Sequence, residues 1–189
     1  MFCITPISHT GLLRAKTAAA GLFDGQNTFY GGNQMGNYEN AMGIMVERFA
    51  KDSLIALATT DGSRMFNRMV DGYFENGAFY ISTHALSNKI KQIEAHPDVA
   101  VCAIDWFSGH GVGKNLGWVL EPQNAEIRLK LREAFSWYAD VNNEQDKNCC
   151  ILEIRLTDGM LIKDHHAIRY QIDFTNKSAL LSENWGEFK

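Results

Sequence analysis

The stretch RMVDGYFENGAFYISTHALSNKIKQIEAHP, residues 68–97, decides how this chain reads. Asn76-Gly77 stands between two runs rich in aromatic and β-branched residues, the strongest short-range hairpin signal a sequence offers. It folds the strand around Arg68 back against a strand ending at Thr83. A short helix then begins near Ser87 and is closed by Pro97. The unit thus places Arg68, Thr83, Ser87 and Lys89 at strand and helix ends. A helix N-terminus presents unpaired N–H groups and a partial positive charge, which favour an anion. A guanidinium, an ammonium and two hydroxyls beside it suit a phosphate monoester. Each residue alone has a plainer reading: Ser87 as a cap, Lys89 on a solvated face, Arg68 as a surface strand charge. Their joint spacing is what favours the anion.

Outward from this unit, Tyr38, Ala41, Met42, Met45, Val46 and Phe49 recur at helical spacing and predict a helix over residues 38–51, its methionines filling core. Residues 53–60 read as a strand, Asp61-Gly62 as a turn, and 64–74 as the returning strand. Val99 to Trp106 is apolar at nearly every position and predicts a strand covered on both faces, as inside a barrel. Residues 108–117, SGHGVGKNLG, hold four glycines. Two readings stay open for them: a long hairpin tip needing positive φ, or close backbone approach to a ring or partner subunit. Glu121-Pro122 opens a second long helix striped by Ile127, Leu131, Ala134, Phe135 and Tyr138. Residues 140–148 form a polar loop. An alternating strand starts at Cys150, Asp158-Gly159 turns it, and a last strand covers 168–174. Short turns between antiparallel strands, with helices at intervals, predict a mainly β, α+β architecture: a closed or half-closed barrel.

The chain has 189 residues, 46% hydrophobic, enough for one domain with a real core. A net charge of −4 argues against a general nucleic-acid binder. No apolar run approaches a membrane span, and the first residues lack a secretory core, so the expected location is cytoplasmic. The four cysteines, Cys3, Cys102, Cys149 and Cys150, lack CxxC spacing and are expected to be reduced and mostly buried. Cys149 and Cys150, adjacent on a strand, face opposite sides. No metal site is expected: Asp164-His165-His166 lacks ligand geometry. Residues 1–36 carry scattered glycines without periodicity and read as a flexible extension. Residues 37–175 form the domain and 176–189 a weakly patterned tail.

Arg68-Met69-Val70, Gly77 to Tyr80, Thr83, Ser87-Asn88-Lys89 and His96-Pro97 together resemble the flavin-phosphate segment of the pyridoxamine-phosphate oxidase-like family, the FMN-binding split barrels. The resemblance is specific over residues 53–107, weaker to about residue 175, and absent from the first 35 or so. It implies an antiparallel split β-barrel of Greek-key type, FMN as cofactor, and a homodimer with FMN at the interface. It also implies that Arg68, Thr83, Ser87 and Lys89 hold the flavin phosphate, with Ser82 and Asn88 touching the cofactor. Met69, Val70 and Asp71 would run beside the ring through main-chain groups. The substrate half departs from the family. A Lys five residues after the Arg is replaced by Tyr73, a flavin-contacting Gln falls near Val112, and the C-terminal Arg-x-His has no match among His165, His166 and Arg169. His84, next to the cluster, reads as a helix-entry residue or a donor to flavin or substrate. The expected function is a flavin-dependent oxidoreductase or flavin reductase taking hydride from a nicotinamide or a small reduced substrate. The alternatives are a non-catalytic flavin or haem carrier on the same barrel, or a structural homodimer with an empty phosphate site.

Overall fold

The computed structural model describes residues 29–30, 34–104, 106–163 and 168–183. Its elements in chain order are β1 (Phe29–Tyr30), α1 (Gln34–Phe49), β2 (Ser53–Thr60), β3 (Met65–Glu75), β4 (Ala78–His84), α2 (Asn88–Ala95), β5 (Asp98–Ala103), β6 (Phe107–Trp118), α3 (Ala125–Ala134), α4 (Tyr138–Val141), β7 (Cys149–Lys163), β8 (Ile168–Asp173) and β9 (Ser178–Glu183). The strands are ordered β1-β9-β8-β7-β4-β3-β2-β5-β6, and β6 also pairs with β7. That last pairing closes six strands into a barrel. Strands β2, β3 and β4 form a meander, and β5 returns beside β2, which is the Greek-key order.

The hairpin signals at both expected turns hold. Asp61 Oδ1 accepts from Ser63 N and Arg64 N at 2.9 and 2.8 Å, tying the β2–β3 turn. At the β3–β4 turn both central residues are left-handed, Asn76 at φ 49° and Gly77 at φ 76°. Such a turn matches the twist of its strands.

Inside the barrel an aromatic chain runs Phe49–Phe79–Phe107–Phe174, with centroids 5.7, 6.3 and 6.2 Å apart. Helix α1 inserts Ala41, Met45 and Phe49 into this core, and α2 inserts Ile90 and Ile93. A second cluster lies outside the barrel. Val119, Leu131, Phe135, Tyr138 and Ile151 are buried there, with Tyr73 and Tyr80 packed against them. The predicted long helix after Pro122 is therefore a 3-10 turn followed by α3 and α4, folded onto the outer wall. Cys149 belongs to the outer cluster and Cys150 to the inner one, as alternation requires. Cys102 is exposed, against the expectation of burial, because it sits on the outward face of β5.

Three expectations need correction. Strand β5 is not covered on both faces: Val99, Val101 and Ala103 point inward and are buried, while Cys102 and the following Ile104 are exposed. Residues 108–117 are not a hairpin tip but the body of β6, paired with β5 on one side and β7 on the other. Their glycines serve strand contact. A Cβ on Gly111 would lie 2.7 Å from the Arg155 carbonyl oxygen, and one on Gly113 would lie 2.8 Å from Ile93 Cγ2. Asp158-Gly159 is not a turn either. It lies within the 15-residue β7, where Gly109 pairs with Gly159, His110 with Asp158 and Gly111 with Leu156. Thr157 is the extra residue of a β-bulge. There β7 changes neighbours: Leu156 N donates to Gly77 O at 3.0 Å, and Phe174 N donates to Thr157 O at 2.9 Å. Before the bulge β7 pairs with β4, after it with β8, and this exchange splits the barrel.

Residues 178–183, read from sequence as part of a tail, form β9 on β8, and Phe29–Tyr30 pair with β9. Residues 34–36 of the predicted extension belong to α1; its residues 1–28 and 31–33 lie outside the described residues, as do Cys3 and Asp164-His165-His166. No helix among the described residues is long and apolar enough to cross a membrane.

Candidate cofactor site

Strand β3 alternates, so Arg68 shares the inward parity of Val70 and Phe74. Its guanidinium Nη1 donates to Leu57 O at 3.2 Å and to Thr59 Oγ1 at 2.6 Å. Nη2 donates to Gln92 Oε1 at 3.0 Å. Lys89, on the first turn of α2, lies close enough that its ammonium is disfavoured by burial and then by the Arg68 charge, and its pKa falls below the usual lysine value. Burial lowers Arg68 as well. Among the described residues neither cation has a carboxylate partner. Each of two neighbouring cations disfavours the other's charged form, and an anion between them would relieve this.

Ser87 precedes α2 in extended conformation, φ −68° and ψ 151°, but its side chain makes no cap bond. Its Oγ is buried without a hydrogen-bond partner. A buried orphan hydroxyl costs roughly 1–3 kcal/mol unless a ligand satisfies it. Beside it lie the N–H groups of Asn88 and Lys89, which open α2 and have no acceptor within the helix, while those of Ile90 and Lys91 donate to Ser87 O at 3.1 and 3.2 Å. Arg68, Ser87 and Lys89 therefore form one corner, and its donors fit a phosphate monoester.

The other predicted residues distribute around that corner. Thr83 stands opposite Cys150, whose thiol is electrostatically coupled to Lys89. Burial raises that thiol to about 11, so it stays neutral. Thr83, Ser82 and Asp71 line a neighbouring cleft of about 710 Å³ with Trp137, Asn142 and Cys149. Ser82 Oγ donates to Asn142 Oδ1 at 2.9 Å, so it is engaged within the cleft wall. Burial and the nearby Asp52 carboxylate raise the pKa of Asp71. Val70 points into the core, Met69 outward with 47% of its surface exposed, and Asn88 is exposed. His84 belongs to the helix entry: its Nδ1 accepts from Leu86 N at 3.3 Å and its Nε2 lies 3.4 Å from Asp146 Oδ2.

The substrate-side positions are not drawn together. Tyr73 is packed into the outer cluster under α3 and α4. Val112 is an outward residue of β6, and Arg169 lies on β8 in register with Ile162 and Ser182. Among the described residues no group of His, Cys, Asp or Glu has metal-holding geometry. Two participants escaped the sequence reading, Thr59 and Gln92. The signal for Gln92 was present: it interrupts the apolar pair Ile90 and Ile93 on the buried face of α2.

No family model and no curated protein matches the sequence. Solved structures do. A Listeria innocua protein provisionally described as a pyridoxamine 5'-phosphate oxidase superposes with a TM-score of 0.51 at 13% identity, over 67% of this chain and 98% of that one. This chain has the pyridoxamine-phosphate oxidase-like split-barrel fold. A haem-binding protein from Mycobacterium smegmatis shares the same split barrel, with a TM-score of 0.55 at 11% identity, over 73% of this chain and 58% of that one. Identities this low carry the fold and nothing finer. What the split barrel holds must be argued from its own residues.

Proposed function

We propose that this split barrel binds FMN, with the flavin phosphate at the corner of Arg68, Ser87, Lys89 and Thr83. The observation that carries the reading is the pair of cations without a carboxylate around an orphan buried hydroxyl. A terminal phosphate monoester supplies the missing acceptor and charge, which favours FMN over a cofactor lacking one. The main chain of residues 69–71 would flank the ring, and Thr83 and Ser82 would lie along the path to the cleft. Bound FMN would supply hydride acceptance, and this chain would supply its position. The reading is a flavin-dependent oxidoreductase or flavin reductase fed by a nicotinamide or a small reduced substrate. A non-catalytic flavin or haem carrier is the second reading, favoured by the haem-binding neighbour on the same fold.

The test is direct. Freshly purified protein should show a flavin spectrum, and the released cofactor should run as FMN by chromatography. Recovery of FAD or haem, or a colourless protein that takes up no FMN, would overturn the proposal. Anaerobic mixing with a nicotinamide separates enzyme from carrier, because only the former bleaches the flavin on turnover.

The reading includes a homodimer. The outward faces of β2, β3, β5 and the end that follows it present Leu54, Met65, Met69 and Ile104 with 60%, 72%, 47% and 71% of their surface exposed. The same strands form part of a groove of about 750 Å³ lined by small residues such as Ala56, Ala58 and Ala100 and by the polar Asn67 and His110. Several large apolar side chains exposed on the outer wall favour a protein interface there. A second copy covering it would bring Met69 beside the neighbouring subunit. Light scattering at micromolar concentration should give twice the chain mass.

A further inference from the structure

We infer that Gln92 and Thr59 are positioning residues that hold Arg68 in a neutral clamp, orienting its guanidinium while leaving its charge for a dianionic ligand. The inference rests on the phosphate-corner reading for its ligand and on the hydrogen bonds for its geometry. Thr59 is fully buried and Gln92 is 8% exposed. The Thr59 hydroxyl donates to Gln92 Oε1 at 2.6 Å and accepts from Arg68 Nη1 at 2.6 Å. Gln92 Oε1 also accepts from Arg68 Nη2 at 3.0 Å. The amide orientation is set by Arg68, because a reversed Gln92 would put its NH2 against the Nη2 donor, which cannot accept. With Leu57 O, every acceptor on this guanidinium is neutral.

Neutrality is the informative part. A buried arginine is ordinarily held by a carboxylate, often bidentate, which fixes it and cancels its charge. Here the bonds engage Nη1 and Nη2 only. Nε–H, with the second Nη2 hydrogen beside it, remains as a two-donor edge. The clamp fixes the direction of that edge without spending its field. Burial lowers the pKa of Arg68, and burial and then the Arg68 charge lower that of Lys89. A corner carrying two full positive charges prefers a phosphate dianion over a singly charged carboxylate.

The discriminating variant is Gln92→Glu, isosteric and able to accept the same bonds. It should preserve or raise Tm, yet weaken binding of FMN about 10- to 100-fold and flatten its salt dependence, because Arg68 acquires an internal counter-ion. Gln92→Leu and Thr59→Val remove the clamp without adding charge. A merely structural role predicts that affinity tracks Tm across all three variants; Gln92→Glu breaks that correlation if the clamp is right. Unchanged FMN affinity in Gln92→Glu would overturn it. Should the wild-type chain bind neither FMN nor inorganic phosphate, the cofactor reading fails, and the clamp is judged by the 15N spectrum of the arginine side chains. Arg68 should give resolved Nη signals in the wild type that merge in Thr59→Val and Gln92→Leu. Merged signals in the wild type would sink the clamp whatever the flavin does.

Discussion

Two halves of the barrel contain the same kinds of residue and read very differently. In residues 53–97 Asp61-Gly62 and Asn76-Gly77 are turns, and the glycines have positive φ, 89° and 76°. In residues 98–163 Gly109, Gly111, Gly113 and Asp158-Gly159 look alike on paper but lie inside strands. The first half is organised by contacts a few residues apart. The second is organised by β7, whose partners come from three different strands along its length, β4, β6 and β8. A glycine demanded by its own φ can be read locally. One demanded by a neighbour cannot, because the neighbour is distant in sequence.

The largest test of that contrast exchanges glycine for alanine in each half. At Gly109 a Cβ would press on the Asp158 carbonyl oxygen and come within 2.7 Å of the buried Phe107 ring. Neither can retreat, since the carbonyl is fixed in the ladder and the ring in the aromatic core. Gly109→Ala should destabilise by about 2–4 kcal/mol in urea denaturation, at the upper end for overpacking. Gly77→Ala, penalised only by its left-handed backbone with the nearest side-chain atom 3.5 Å away, should lose about 1–2 kcal/mol. The reverse order would restore the hairpin-tip reading of 108–117.

The second test concerns the corner. Arg68→Ala and Lys89→Ala should each weaken FMN binding by about 1.5–3 kcal/mol, the range for a charge-assisted hydrogen bond. Titration of the flavin spectrum measures it. Unaltered affinity in both variants would remove the corner as the phosphate site and leave Arg68, Ser87 and Lys89 to their plainer readings. Lys89→Ala should also stabilise the flavin-free protein, because it ends the repulsion with Arg68.

These tests mark what the sequence made legible. The hairpin, the helix entry and the apposition of Arg68 with Ser87 and Lys89 follow from turn chemistry and spacing within about thirty residues, so they could be read directly. The clamp could not: Thr59, Arg68 and Gln92 meet only once three elements pack, and a glutamine on an apolar helix face signals a buried polar group without naming its partners. The exposure of Cys102 and Ile104 was hidden for another reason. An apolar strand looks the same whether its second face meets a core or waits for a second chain. Residues 178–183 were missed because β9 is short, polar at both ends and defined by its pairing to β8.

A third test addresses the half of the site that departs from the family pattern. The chain should not oxidise pyridoxamine phosphate at an ordinary enzymatic rate of about one per second or faster. By the resemblance, Tyr73 replaces a lysine that would hold the substrate phosphate, and lacking such a contact costs roughly ten- to a hundredfold in binding. Tyr73→Lys should not restore the activity, because residue 73 is packed against the outer cluster, where Lys130 already bridges Glu75 and Glu126 at 2.6 Å. Aldehyde and peroxide production under oxygen is the assay. Brisk turnover by either form would show that the substrate phosphate is held elsewhere.

The smallest expected effect separates side chain from backbone along β3. Asp71, three residues beyond Arg68, points to the cleft, and burial together with the Asp52 carboxylate raises its pKa above the usual aspartate value. Between the unfolded and the raised folded value, the folded state holds more protons than the unfolded one. Stability therefore falls as pH rises through that window, and the loss persists at neutral pH. Asp71→Asn should thus stabilise the protein above the window and leave it unchanged at pH 3, where both states are protonated. The gain should stay under about 1 kcal/mol, because a partly exposed carboxylate is screened. FMN affinity should change little, since residues 69–71 are proposed to meet the ring through main-chain groups. A large loss of flavin in Asp71→Asn would move the binding determinants from the corner to the cleft, and with them the boundary between the part of the site carried by local spacing and the part carried by the fold.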